Sequence, residues 1–305
     1  MNFAVTGGSG FVGQHLLRHQ GFRTAKSCGR QNTNNHDHFI QCDLFNTKEM
    51  IEHLKGVDSV IHAAGLAHVD RGNQADDTEL YNKVNFEMTR SLLNASVKAG
   101  VKHFIYLSTI KVLGESSKHG KPFSEKSLYS CENEYARSKR RSEEYIRSFT
   151  KSNCINYTII RPPMVYGENV KGNMRQLLRL VDKSVPLPIA NLKNKRSLLA
   201  VDNLVDFIWE IANNTAARNK IFCVSDGEAI TFDKIISELT LLRRSKTKIF
   251  AIPDSILSLL FRCIGKSHTY KVISTDVEID NSYACAVLDW MPQMNTKKGF
   301  KRYYG

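Results

Sequence analysis

The stretch Thr6-Gly7-Gly8-Ser9-Gly10-Phe11-Val12-Gly13 constrains this chain more than any other. It follows the apolar run Phe3-Ala4-Val5, which reads as a strand, and opens the amphipathic run Phe11 to His19, which reads as a helix. Glycines at 7, 10 and 13 let the backbone turn sharply, approach a pyrophosphate closely and seat the helix against the sheet, while the helix N-terminus offers amide donors. A glycine-rich turn alone is a weak signal. In this strand, turn and helix context it points to a dinucleotide cradle built from Gly7, Gly10, Phe11, Val12 and Gly13. The fold that supplies such a cradle is α/β, a Rossmann-type doubly wound parallel sheet.

The following residues keep a βαβ rhythm. Short strands are expected at Ala25 to Gly29, Phe39 to Cys42, Val57 to Ala64, Phe104 to Leu107 and Tyr157 to Ile160. Helices are expected at Lys48 to Leu54, Glu79 to Ala99 and about Glu132 to Thr150. Beyond Gly167 the rhythm loosens into basic loops, a helix at Val201 to Ala212 and a mixed tail. The expected organisation is a dinucleotide-binding domain over 1–167, completed by parts of about 197–225, with a smaller α/β substrate lobe mainly over 168–305.

Composition narrows the partners. Of 305 residues, 42% are hydrophobic and 24% charged, which excludes a disordered or low-complexity chain. Forty-three Lys and Arg against 30 Asp and Glu leave a net charge of +13, suited to a polyanion, an acidic membrane surface or a phosphorylated small molecule. The seven cysteines form no CxxC pair and no Cys/His cluster at zinc spacing, so no metal is expected and a reduced, cytoplasmic setting fits. The start Met1-Asn2-Phe3-Ala4-Val5 lacks the pattern of a signal peptide. Ser255 to Phe261 is far shorter than a membrane span and reads as a buried or partner-facing helix turn. With Arg243, Arg244, Lys246, Lys248 and Lys266 nearby, membrane-surface association is the alternative.

Chemistry enters at Tyr135-Ala136-Arg137-Ser138-Lys139. On a helix, residues four apart share a face, so the phenol and the ammonium enter one cleft. A nearby cation is expected to lower the phenol pKa from about 10, as proton exchange near neutrality requires. The strand ending in Ser108-Thr109 brings hydroxyls to the same cleft.

In this order and spacing, these features resemble the extended short-chain dehydrogenase/reductase superfamily, specifically its nucleotide-sugar epimerase/dehydratase branch, over nearly the whole chain. The resemblance implies that Thr109, Tyr135 and Lys139 are catalytic, Thr109 being placed by the following Val112-Leu113-Gly114 where relatives have Val-Tyr-Gly. It implies cofactor contacts at Asp43 and Leu44 for adenine, at the turn Ala63-Ala64-Gly65, at Asn85, at Ser108 and at Arg161-Pro162 beside the nicotinamide. Asn173, Arg196 and Asp202 fall at positions that contact or organise the nucleotide-sugar site. The tail Leu288-Asp289-Trp290-Met291-Pro292 resembles the usual Leu-Gly-Trp-x-Pro end, with Asp289 replacing Gly.

Dehydratases of this branch follow the catalytic threonine with an acidic pair; here it is Ile110-Lys111. The expected reaction is therefore an NAD(P)-dependent 4-epimerisation or 4-keto reduction of a UDP-hexose or UDP-N-acetylhexosamine. The strand ending Ser27-Cys28-Gly29-Arg30 carries no carboxylate, and Arg30 suits a 2′-phosphate, so the cofactor is NAD or NADP. The alternative is a non-catalytic NADP-sensing or RNA-associated member, although such members usually lose the Tyr or Lys kept here; no nucleic-acid partner is expected. The resemblance also implies a homodimer through the Glu79 to Ala99 and Tyr135 helices, with Leu92, Leu93, Val97, Tyr145 and Ile146 at that face or against the sheet. His62 and His68 read as structural histidines, and Cys131 as a free thiol.

Overall fold

The computed structural model describes residues 1–67 and 74–305. The first part runs β1 (Phe3–Thr6), α1 (Phe11–Arg18), β2 (Lys26–Gly29), β3 (Phe39–Gln41), α2 (Thr47–His53), β4 (Ser59–His62), α3 (Gln74–Tyr81), α4 (Met88–Lys98), β5 (His103–Leu107), α5 (Glu134–Lys151) and β6 (Asn156–Arg161). Strands β1 and β4 are buried along their whole length, as expected of parallel strands covered on both faces. The second part runs β7 (Met164–Tyr166), α6 (Gly172–Asp182), β8 (Lys195–Arg196), β9 (Leu198–Ala200), α7 (Val201–Asn213), β10 (Lys220–Cys223), β11 (Ile230–Thr231), α8 (Phe232–Leu242), α9 (Asp254–Cys263), α10 (Ser267–Ser274), α11 (Ser282–Leu288) and α12 (Thr296–Tyr304).

Among the described residues the main sheet has seven parallel strands in the order β10-β6-β5-β4-β1-β2-β3. Chain order reverses between β1 and β4, which places the sheet's switch-point crevice beyond their carboxyl ends. The glycine turn and Ala63-Ala64-Gly65 both open there. β10 joins this sheet from the second half of the chain, and α7 packs Leu204, Phe207 and Ile208 into one core with Leu16 and Phe22. Ala284, Leu288 and Trp290 return to that core as well, so the tail crosses back to the large lobe.

The single helix expected from Glu79 to Ala99 is interrupted. Asn82–Glu87 is a π-helical segment between α3 and α4, a widening that frequently marks a functional site. Its buried Asn85 is bonded outside the helix.

The smaller lobe pairs β7 with β9 and β8 with β11. The buried carboxylate of Asp226 ties its parts together, accepting from the Tyr166 hydroxyl (2.7 Å), the Ala200 amide (2.8 Å), the Asn203 carboxamide (2.7 Å) and the Thr296 hydroxyl (3.3 Å). Tyr304 adds a bond from the Gly167 amide to its own hydroxyl. Among the described residues no helix is long and apolar enough to cross a membrane, and no cluster of His, Cys, Asp or Glu is arranged to hold a metal.

Candidate active site

Close backbone contact shapes the cradle. Gly7 has φ +78°, and a Cβ there would lie 2.6 Å from the Ala64 nitrogen; one on Gly13 would lie 2.1 Å from the Gly7 carbonyl oxygen. β1, α1 and the turn after β4 therefore meet with no room for side chains. Gly10 caps α1 without a side-chain bond, and the first intrahelical bond recorded beyond it is Gln14 to Gly10 (3.0 Å). The first-turn amides at Phe11 and Val12 are left to an anionic ligand, and the cradle fits a dinucleotide diphosphate. The polar run after β2 folds over it, Asn34 donating to the Gly8 carbonyl (2.7 Å). Arg30 is exposed after β2; beyond β3, Leu44 is buried and Asp43 is exposed, its carboxylate accepting from the Phe45 amide.

Asn85 fixes the turn after β4. Its carboxamide bonds the amide and carbonyl of Leu66 and the Ser138 hydroxyl of α5. A Cβ on Gly65 would approach Asn85 Oδ1 and Lys139 Nζ to 3.2 Å each, so the ammonium lies beside the turn. His62 is fully buried with Nδ1 bonded to Thr6 (2.6 Å) and Nε2 to Thr89 (2.9 Å), and burial pushes its pKa down to about 3. It is a structural histidine; His68 lies outside the described residues.

Thr109 follows β5 and caps a short 3-10 turn over Ile110–Val112. Asn133 caps α5, its oxygen accepting from the Ala136 amide at 2.8 Å, and so fixes Tyr135 in the first turn. The Thr109 hydroxyl stands beside the Tyr135 phenol, where it favours the phenolate. Tyr135 lines a cavity of about 150 Å³ with Ala67, Tyr81, Lys111, Asn133 and Glu134. Lys139, one turn on, donates to the Leu107 carbonyl (2.8 Å) and lies over the Tyr106 ring (4.6 Å).

The electrostatics correct one expectation. Burial pushes the Tyr135 phenol up to about 12, opposed by the neighbouring Thr109 hydroxyl, and pushes the Lys139 ammonium down to about 8, opposed by Glu143. Desolvation dominates both groups, and the ammonium is bound to Leu107, so the lysine does not bring the phenol below its ordinary value.

Arg161 closes β6 with its side chain turned to α5. Its guanidinium is buried and holds Glu143 through Nη2 (2.6 Å) and Nε (3.1 and 3.2 Å). Glu143 also accepts from Ser108 (2.5 Å) and Tyr129 (2.8 Å), so both Ser108 and Arg161 are committed beneath the site. The Pro162 carbonyl accepts from the Ile110 amide (2.9 Å) and braces the Thr109 turn. Glu143 escaped the sequence reading, although Tyr135, Lys139 and Glu143 recur every four residues on one helical face. Glu115 escaped too: buried, it accepts from Asn133 (2.7 Å) and faces Lys111 and His268 (3.8 Å each).

In the smaller lobe, Arg196 donates to the Thr275 carbonyl (3.1 Å), and burial lowers its pKa to about 10 against Asp276 and Glu115. A cavity of about 420 Å³ lies nearby in the chain's fold, lined by Lys193, Asn194 and Asp276 among others. Asn173 is exposed in the first turn of α6. Asp202 instead pairs with Arg302 (2.9 Å) and His15 (3.8 Å), linking α7 to α12 and α1. Cys131 is a free thiol donating to the Val112 carbonyl.

A family model described as the NAD dependent epimerase/dehydratase family matches residues 3–225. The UDP-glucose 4-epimerase of Vibrio cholerae is 33% identical over 304 residues, covering 98% of this chain and 93% of its own. The N-acetyl-alpha-D-glucosaminyl-diphospho-ditrans,octacis-undecaprenol 4-epimerase of Escherichia coli O157:H7 is 28% identical, covering 78% of this chain and 71% of its own. In fold, the chain is similar to the crystal structure of a UDP-glucose 4-epimerase from Thermotoga maritima with UDP-glucose, at a TM-score of 0.80 and 20% identity, covering 100% of this chain and 97% of that one.

Proposed function

From the premise that this chain belongs to the NAD dependent epimerase/dehydratase family and is an NAD-dependent enzyme, we propose that it inverts C4 of a UDP-linked hexose or N-acetylhexosamine. The observation that carries this reading is the placement of the Tyr135 phenol beside Thr109, in the crevice where Lys139 adjoins Gly65 and the neighbouring Ala64 meets the glycine cradle. The first turn of α1 would hold the cofactor's diphosphate, Asp43 and Leu44 its adenine end, and Lys139 the ribose beside the Ala63-Ala64-Gly65 turn. The chemistry the dinucleotide supplies when bound is reversible hydride exchange with C4.

Tyr135 exchanges the proton of the C4 oxygen, and Thr109 bonds the same oxygen and orients it. With its pKa near 12, the phenol is protonated at neutral pH and ready to donate to a keto sugar. The reverse step needs the phenolate, which the neighbouring Thr109 hydroxyl favours. Ile110-Lys111 follows Thr109, so no acidic pair stands there to eliminate water across C5 and C6. Asn173 and Arg196 would engage the nucleotide sugar's diphosphate end.

A second reading is a 4-ketoreductase using NADP(H). Two observations favour it: the phenol rests as a proton donor, and the exposed Arg30 closes a strand end lacking a carboxylate. Incubation of the purified protein with UDP-glucose, UDP-GlcNAc and a UDP-4-keto-6-deoxy-HexNAc, each with NADH and NADPH, separates the readings: epimerisation inverts C4 with no net cofactor consumed, whereas reduction oxidises one NAD(P)H per keto sugar. No turnover of any of them overturns both. The proposed homodimer face lies along residues 82–98 and α5, where Phe86, Val97, Tyr145 and Phe149 are half-buried, the last three packed against the core that buries Leu92, Leu93 and Ile146. Sedimentation tests it.

A further inference from the structure

We propose that α9 seats this chain on an anionic membrane surface. The helix carries two apolar faces. Leu257 is buried in the smaller lobe's core, with Phe261 packed against it. Ile256, Leu259 and Leu260, together with Ile264 just past the helix end, are 49 to 63% exposed. Their spacing of i, i+3, i+4 and i+8 makes one continuous ridge about 12 Å long. Phe250, 44% exposed, leads into the helix and is pinned to the lobe by its amide bonding the Leu187 carbonyl.

A ridge of this size on a soluble surface marks a contact, and its surroundings choose the occupant. Residues 243–271 contain seven Lys and Arg and a single acid, Asp254; Arg243 pairs with Asp182 (2.8 Å) and Lys271 with Glu132 (2.6 Å), both from other elements. Asp254 accepts from the Tyr270 hydroxyl (2.6 Å) at the helix N-terminus. Arg244, Lys246, Lys248, Arg262 and Lys266 are all exposed. A second copy of this face would oppose like charges. A negatively charged lipid headgroup layer over an apolar interior matches both features, which is how helices lying in the interface plane bind. Asp254 at the start of α9 lines the larger cavity, while Ile256, Leu259, Leu260 and Ile264 line neither cavity described above, and the proposal does not depend on which sugar is turned over.

Flotation of the full chain with vesicles tests it. The protein should float with phosphatidylcholine vesicles containing roughly a third phosphatidylglycerol, and not with phosphatidylcholine alone, at about 0.1 M salt. Binding should fall at least about tenfold at about 0.5 M salt, where the charge attraction is screened. The pair Leu259→Glu/Leu260→Glu and, separately, Arg262→Glu/Lys266→Glu should each weaken binding at least about tenfold. All four positions are exposed, so the melting temperature should be unchanged in both variants. Failure to float with the anionic vesicles, or undiminished binding by the leucine variant, overturns the proposal. So does concentration-dependent self-association that the leucine variant abolishes without any vesicle binding, which would make the ridge an interface between copies.

Discussion

Asn85 bonds both backbone polar groups of Leu66, its oxygen accepting from the amide at 2.7 Å and its nitrogen donating to the carbonyl at 3.0 Å. A single carboxamide thereby takes the place of a strand neighbour for the turn after β4, and the π-helical widening over Asn82–Glu87 positions it.

Asn85→Ala should therefore leave the Leu66 amide and carbonyl without protein partners. The expected loss is about 1 to 3 kcal/mol of stability in chemical denaturation, with weaker dinucleotide binding. A variant with unchanged affinity in calorimetry would separate this turn from the cofactor site.

Replacing Tyr135 by Phe removes the exchangeable proton and little volume. Turnover should drop by about 10²- to 10⁴-fold while dinucleotide affinity is retained. Thr109→Val should have a smaller effect on rate and should shift the rising limb of the pH-rate profile upward, because the hydroxyl that draws the phenol down is gone. A fully active Tyr135→Phe enzyme refutes the proton-transfer role.

Lys139 makes the ligand-free protein pH-sensitive in a definite direction. Its pKa of about 8 in the fold lies below the ordinary lysine value of 10.5. The unfolded chain thus binds more protons between these values, and stability rises with pH across that window. The contribution is complete above the unfolded value and disappears as pH falls through about 8. Lys139→Met should flatten this slope, by about 3 kcal/mol between the two ends. Thermal midpoints of both proteins from pH 7.5 to 10.5 measure it; parallel curves would mean that the ammonium is solvated.

Glu143 and Arg161 form a buried ion pair under the site. Glu143→Leu strands the guanidinium and should cost about 3 to 5 kcal/mol, whereas adding Arg161→Met should recover a large part of that loss. Additive costs in the double variant would rule out a direct coupling of the two charges.

The cradle and the Tyr135 and Lys139 pair were legible because each rests on local spacing: a turn needing glycine at Gly7 and Gly13, and a helical period of four. Buried parallel strands such as Phe3–Thr6 are legible for the same reason, as short apolar runs. The π-helical segment was not, since it depends on a bond from Asn85 to a turn 19 residues earlier. Arg161 followed the motif in position while its side chain turned to Glu143, a partner on another element. Asp226 gathers Tyr166, Ala200, Asn203 and Thr296 from four segments, and no periodic pattern in the chain encodes such a meeting.

The seating of Tyr166 also sets an order of events during synthesis. Its hydroxyl lies where a Cβ on Gly299 would come within 2.1 Å, and its partner Thr296 is 130 residues farther along. At about 5 to 20 residues per second, a ribosome needs on the order of ten seconds to supply α12 after β7 has emerged. Throughout that interval β7 and the neighbouring Val170 and Met174 have no C-terminal helix to cover them. The nascent chain can complete its large parallel sheet while its smaller lobe still offers an open apolar surface to chaperones, and to misfolding.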